Sequence, residues 1–205
     1  RGGDRQIDQA LEPARLDEAT GFKLETGIAA ALDQRIPVVM VISTSGTDIM
    51  QGMAALSGWG RVASKLTECS GVIPTIIIVD GPAVSGPALL LGVADFTILT
   101  ERSSAFVNGP VMVEEFTGVA IDPDELGGSA SHARYTGVAA FVVPDREAAA
   151  HVAIELLGYL PDSVDTEPAR WPTSDPGDRP CPEAGAQIPE SSTGSYDVRK
   201  VAAAI

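Results

Sequence analysis

Two short runs hold the residues best placed to do chemistry: Ser45-Gly46-Thr47-Asp48-Ile49 and Gly81-Pro82-Ala83-Val84-Ser85-Gly86-Pro87. Each follows an unbroken apolar stretch, 37–42 and 74–79, the pattern of a strand buried on both faces of a parallel sheet. In open α/β sheets ligands gather beyond the carboxyl ends of the strands. A turn there that leads into a helix points free backbone N–H groups outward. Two such turns side by side can aim two N–H donors at one oxygen, which stabilises an oxyanion without any titratable side chain. The glycines let backbone approach a ligand with no Cβ in the way. Taken singly, either run also reads as an ordinary turn.

The other chemistry-bearing side chains are few. His132 follows Gly127-Gly128 and reads either as a residue near a substrate or as a structural hydrogen-bonding group. His151 falls in a late helix and reads as surface or interface. Glu114 and Glu115 are adjacent, so on a helix they do not face one another and form a solvated face rather than an acid/base pair. Arg61 and Lys65, four apart, are expected at the surface rather than on phosphate groups. Trp59 reads as packing and Cys69 as a small buried residue. No metal site is expected, since neither cysteine has metal-type spacing.

The elements that must position these turns read as follows. Helical periodicity covers 18–35, then comes the first apolar strand, a Ser/Thr/Gly turn over 43–47 and a second helix over 49–70. The second strand leads into a turn over 80–87, a short apolar helix over 88–94 and a third strand at 96–99; helix resumes over 146–160. This is βα alternation with crossovers of the right length for a parallel α/β sheet. Seven of the 15 prolines lie in 161–196, which therefore reads as a linker or wrapping arm. Residues 197–205 would begin another element.

The 205 residues, 44% hydrophobic, suffice for one sizeable core. A net charge of −14 argues against nucleic acid and anionic lipid as partners. No apolar run approaches the ~20 residues of a membrane span. The cysteine usage suggests a reducing, cytoplasmic setting. The chain opens on Arg1 and closes on an apolar run, so it is expected to be a piece cut at both ends.

A wider pattern adds to this. Gln51-Gly52, Ser70-Gly71-Val72-Ile73-Pro74, Gly81-Pro82, Asp95-Phe96, Gly109-Pro110, Thr117-Gly118, Glu125-Leu126-Gly127-Gly128, His132, Gly137-Val138-Ala139 and Leu157-Gly158-Tyr159-Leu160-Pro161 occur in this order. Over roughly residues 20–200 the chain resembles the β-type carboxyltransferase subunits of biotin-dependent acyl-CoA carboxylases, those of acetyl- and propionyl-CoA among them. The resemblance implies a crotonase-like fold, a spiral of ββα units, as the N-terminal half of a two-domain carboxyltransferase. Residues 1–160 would be that domain, truncated at its start, 161–196 the arm, and 197–205 the beginning of a truncated second domain.

It further implies transfer of CO2 from N-carboxybiotin to the α-carbon of an acyl-CoA, with biotin carried by a biotin carboxylase or carrier subunit and a homo-hexameric assembly. The family's pattern places the oxyanion donors on the backbone at Ser85 and Gly86, and comparison with crotonase-like enzymes adds Thr47. Ser45, Gly46, Gly81, Pro82, Gly109, Pro110, Gly127, Gly128 and His132 would line the substrate. Hydratases of that superfamily carry glutamates where this chain has Leu89 and Val111, which points away from hydration.

There are departures. The family's first turn is usually Asp-Ser-Gly-Gly-Ala-Arg, and here Asp48 stands where its cation is expected. Its second turn is usually Gly-Gly, and here it is Ser85-Gly86. A biotin-dependent acyl-CoA decarboxylase subunit, or a catalytically impaired homologue that acts as an assembly partner, are the competing readings.

Overall fold

The structure, a computed structural model, describes residues 14–205. Most of the polar opening stretch therefore lies outside the described residues. The chain divides into two compact units, one ending at Ala169 and the other Arg170–Ile205.

The first unit is built on a parallel sheet. Strand β1 (Ala14–Leu16) precedes helix α1 (Glu18–Gln34), β2 (Val38–Thr47), a 3-10 turn (Ile49–Gln51), α2 (Met53–Cys69) and β3 (Thr75–Val84). Then follow α3 (Gly86–Leu89) with a 3-10 turn (Leu90–Gly92), β4 (Phe96–Thr100) and β5 (Ser104–Phe106). Short helices α4 (Pro110–Thr117), α5 (Pro123–Gly127) and α6 (Ser129–Ser131) and a π turn (His132–Thr136) lead to β6 (Phe141–Val143) and α7 (Arg146–Tyr159). The strand order is β1-β2-β3-β4-β6, with β5 also paired to β3, and every pairing is parallel.

The unbroken apolar run of β3 follows from helices on both faces. Ile77 and Val79 face a core with Ile28 of α1 and Val62, Leu66 and Cys69 of α2. Ile76 and Ile78, on the opposite face, pack with Ala149 and Ala153 of α7. Helices α1 and α2 meet glycine to glycine: a Cβ on Gly21 would lie 2.7 Å from the Cα of Gly58. None of the described helices is long and apolar enough to cross a membrane.

The two turns expected after the strands are corrected. Residues 43–47 and most of 80–84 are strand, not turn. The backbone bends at Gly46 (φ +112°) and Gly81 (φ +118°), where a side chain would be strained, and pairing then continues with new neighbours. Leu16 of β1 pairs with Thr47, and Pro82–Val84 pair with Ser104–Phe106. Both new partners are three-residue strands, too short to show a period. The helix expected over 88–94 starts earlier, at Gly86.

At the bend of β3 lies Asp80, fully buried. Its carboxylate accepts hydrogen bonds from Arg102 Nε (2.8 Å) and Nη2 (3.0 Å), Arg146 Nε (2.7 Å) and the Thr100 hydroxyl (3.2 Å). It thus ties the point where β3 changes partner to the β4–β5 connection and to the start of α7.

Ser163 is buried and the Val164 N–H donates to Val72 O at 2.9 Å, and the first unit runs on to Ala169. In the second unit α8 (Pro182–Gly185) packs with α9 (Val198–Ala204). There the Cys181 thiol donates to Ala204 O at 2.8 Å, and Arg179 binds both Asp175 and the Ile205 carbonyl.

Burial pushes the Asp80 carboxyl up, but the hydrogen bonds and charges of Arg102 and Arg146 together outweigh it, so the group sits below the ordinary carboxylate range. A carboxyl with a lower pKa folded than unfolded stabilises the fold above its unfolded value, ~3.9, and that contribution disappears as pH falls through the folded value. Asp80→Asn is expected to cost about 3 kcal/mol, at the low end for a buried pair because Arg102 and Arg146 are 47% and 38% exposed. It should also flatten the acid limb of stability below about pH 4. Urea unfolding from pH 2 to 7 checks both, and an unchanged midpoint would show that the clamp carries no stability.

Candidate active site

The bend in β3 delivers Ser85 and Gly86 next to the end of β2. Thr44 pairs with Ala83, and a Cβ built on Gly46 would lie 3.4 Å from Val84 O and 3.6 Å from Ser85 Cβ. The two glycine-bearing segments are therefore side by side. The Thr44 hydroxyl accepts the Gly46 N–H (3.1 Å) and so shapes the first segment. Thr47, the last residue of β2, pairs with Leu16. Ser45 is exposed. Gly81 sits over the Ser43 hydroxyl, where a Cβ would come within 2.6 Å of Oγ.

The Ser85 N–H, expected as an oxyanion donor, is engaged within the chain. It donates to Phe106 O at 2.9 Å. The Ser85 backbone, φ +65° and ψ −136°, lies in a region that glycine tolerates and a side chain does not. Gly86 follows at the start of α3. Among the described residues its N–H makes no hydrogen bond within the chain, as befits the first turn of a helix. The Trp59 indole covers its Cα so closely that a Cβ would meet Cε2 and Nε1 at 2.8 Å. Trp59 thus packs against the core and also borders the site.

The remaining candidates converge on β5, behind Ser85, and not on one open surface. A Cβ on Gly127 would strike the Ala105 carbonyl, and one on Gly109 would touch the Phe106 ring at 3.7 Å. Gly128 bridges to Ser104, and Pro82 is paired with Ser104. Gly109 caps α4 and Pro110 opens it. His132 is committed structurally: Nε2 lies 2.7 Å from Ala105 O and Nδ1 2.9 Å from Thr136 Oγ1. These contacts tie β5 to the turn at His132–Thr136.

Arg61 binds Glu25 and Lys65 binds Glu68, both at 2.8 Å. Glu114, Glu115 and His151 are exposed. Leu89 and Val111 are 47% and 69% exposed. Asp48 caps the 3-10 turn that follows it and lies 3.7 Å from Arg15, so a cation from β1 answers the unexpected anion. Among the described residues no group of three or more His, Cys, Asp or Glu could hold a metal ion.

Sequence reading missed three things here: β5, the Asp80–Arg102–Arg146 cluster, and the indole over Gly86. The first two left one signal each. Gly127-Gly128 demands a close backbone neighbour, and Asp80 ends an apolar strand where a lone carboxylate needs cations. Contact between Trp59 and Gly86, 27 positions apart, had no local signal.

The chain matches the carboxyl transferase domain model over residues 8–205. It is 32% identical over 188 residues to the methylmalonyl-CoA carboxyltransferase 12S subunit of Propionibacterium freudenreichii subsp. shermanii, covering 92% of this chain and 36% of that one. It is 31% identical over 187 residues to the propionyl-CoA carboxylase carboxyltransferase subunit of Haloferax mediterranei, covering 91% and 36%. The chain therefore spans just over a third of the length of these curated relatives. The crystal structure of transcarboxylase 12S, solved with hydrolysed methylmalonyl-coenzyme A, superposes with a TM-score of 0.79 at 31% identity over 92% of this chain and 37% of that one. The fold is the crotonase-like carboxyltransferase fold.

Ser85→Gly relieves the backbone strain and is expected to stabilise the unit by about 1 kcal/mol, since the ~1–3 kcal/mol stored exceeds the ~0.5–1 kcal/mol entropic cost of glycine. Gly86→Ala drives a methyl into Trp59 and is expected to cost about 2 kcal/mol. Denaturant midpoints at constant m-value read both, and equal midpoints for Ser85→Gly and wild type would mean that the strain is absent.

Proposed function

This chain belongs to the carboxyl transferase domain family, and from that premise we propose that the protein transfers CO2 from N-carboxybiotin to the α-carbon of an acyl-CoA, acetyl- or propionyl-CoA in the first instance. The observation that carries the reading is the Gly86 N–H: among the described residues it has no hydrogen-bond partner, it lies just past the end of β3 and it is walled by Trp59. A thioester carbonyl that turns into an enolate needs such a pre-aimed donor.

No carboxylate stands where a hydratase keeps its glutamates, since those places hold Leu89 and Val111. That fits a group that brings its own base. When bound, carboxybiotin would supply both the CO2 and the ureido nitrogen that accepts the α-proton. This chain's residues would then do the rest of the work on the acyl side. Gly86 N–H binds the thioester oxygen, Phe106 and Trp59 hold the turn that presents it, and Gly46 lets the neighbouring strand come close. Thr47 is the further backbone group that this reading places toward the thioester.

The partners in this reading are an acyl-CoA, a biotin carboxylase or biotin carrier subunit, and further copies of the chain in a hexamer, the assembly named for transcarboxylase 12S. A second crotonase-like domain completes the biotin side, and the setting is cytoplasmic, in keeping with two unpaired cysteines. A specific observation favours a second reading, a catalytically impaired assembly partner: Ser85 N–H is consumed by Phe106, so the expected donor pair loses a member.

Two substitutions separate the N–H from the space around it. Gly86→Ala adds a Cβ and keeps the donor, whereas Gly86→Pro adds similar bulk and removes it. On the full-length protein with its biotin-bearing partner, kcat for propionyl-CoA should fall roughly 100- to 1,000-fold further in Gly86→Pro than in Gly86→Ala. Equal losses would eliminate Gly86 as the donor. A folded wild-type oligomer that binds no CoA ester would leave the assembly partner as the better account.

A further inference from the structure

Beside the Gly86 turn lies an apolar cavity of about 260 Å³. Leu16, Leu24, Met40, Ile42, Pro87 and Leu90 form much of its wall, and Arg15, Thr20, Ser43 and Thr44 add its polar groups. Its position is informative. Pro87 follows the donor Gly86 directly, and Thr44 holds the neighbouring Gly46 through its hydroxyl. Two of its lining residues, Pro87 and Thr44, thus stand one and two positions in the sequence from Gly86 and Gly46.

The cavity opens to solvent past Arg15, Thr20 and Val41, which are exposed. A largely apolar hollow with a few polar groups is the usual form of a small-ligand site. The wall is mainly aliphatic, so apolar groups lose more water there than polar ones. Charge sharpens the assignment. Arg15, which lines the cavity and is 63% exposed, lies 3.7 Å from Asp48, 21% exposed. An alkyl chain can fill the hollow while the polar part of the same molecule remains outside.

Resting on the acyl-CoA reading above, we infer that this cavity receives the alkyl tail of the acyl group, so that the preferred substrates are medium-chain acyl-CoA esters rather than acetyl- or propionyl-CoA alone. Size sets the length. An apolar cavity of ~150 Å³ accommodates benzene, with six carbons, so on that scale 260 Å³ accommodates roughly ten. The thioester oxygen sits on Gly86 N–H and the chain leaves the carbonyl past Pro87 into the space under α1.

The test is a chain-length series, acetyl-, butyryl-, hexanoyl-, octanoyl- and dodecanoyl-CoA, titrated by calorimetry into the full-length protein, its Thr20→Trp variant and its Val41→Phe variant. Both variants change exposed residues that line the cavity and leave Gly86, Trp59 and Phe106 untouched. Near-ultraviolet circular dichroism confirms that they fold. Affinity should rise about fourfold per added methylene up to octanoyl, the ratio given by ~0.8 kcal/mol per buried CH2, and level off by dodecanoyl. In the variants octanoyl-CoA should fall to the affinity of butyryl-CoA while acetyl-CoA is unchanged. Esters of every length binding alike, with the variants unaffected, would overturn the tail site and leave the carboxyltransferase reading standing. No binding of any ester would overturn both.

Discussion

The architecture depends on one buried carboxylate being answered by two arginines. Strand β3 serves two sets of neighbours: β2 and β4 along its first half, β5 and the Thr44 position of β2 along its second. A strand that changes partners must bend, and a bend leaves polar groups where the ladder is interrupted. Asp80 sits at that place with no exposure. Alone it would be costly there. With Arg102 from the β4–β5 connection and Arg146 from the start of α7, it becomes the joint that fixes the second half of β3 relative to the first. The Gly86 turn lies only six residues beyond, so its aim is inherited from this joint.

Around the turn, three contacts divide the labour. Phe106 O fixes Ser85, the Trp59 ring fixes Gly86, and Thr44 Oγ1 fixes Gly46. Each acts on backbone rather than on a charged side chain. This agrees with chemistry in which the protein orients dipoles and transfers no proton of its own. The strained Ser85 persists because the sheet on one side and the helix α3 on the other leave it no alternative. Strain of this kind clusters where function demands an unusual geometry, and here it adjoins the Gly86 N–H, which has no hydrogen-bond partner among the described residues. His132 contributes from behind, with both ring nitrogens engaged in holding β5 and its neighbouring turn.

Much of this was legible in the sequence, and the limits have physical causes. The long elements announced themselves: α1, α2, α7 and the apolar parts of β2, β3 and β4 bury enough side chains to show a period. Glycine at 46, 81 and 86 marked where the backbone needed room. Strands β1, β5 and β6 did not appear, because three residues carry no period. The status of Ser85 N–H could not be read either, since its acceptor comes from Phe106, 21 positions later. For His132 the sequence left two readings, near a substrate or a structural hydrogen bond, and the ring's contacts with Ala105 O and Thr136 Oγ1 could not be read because the motif that marks it says nothing about which way the ring points.

The Trp59–Gly86 contact also makes the molecule its own indicator. The sequence has two tryptophans. Trp59 is half-buried against the turn, whereas Trp171, in the second unit, is 68% exposed. Indole emission shifts with the polarity around the ring, so the two emitters report different surroundings. The blue component comes from the wall of the turn and the red component from a residue in solvent. Events at Gly86 are therefore written into the ultraviolet fluorescence of the unmodified chain, with an internal reference supplied by the second ring.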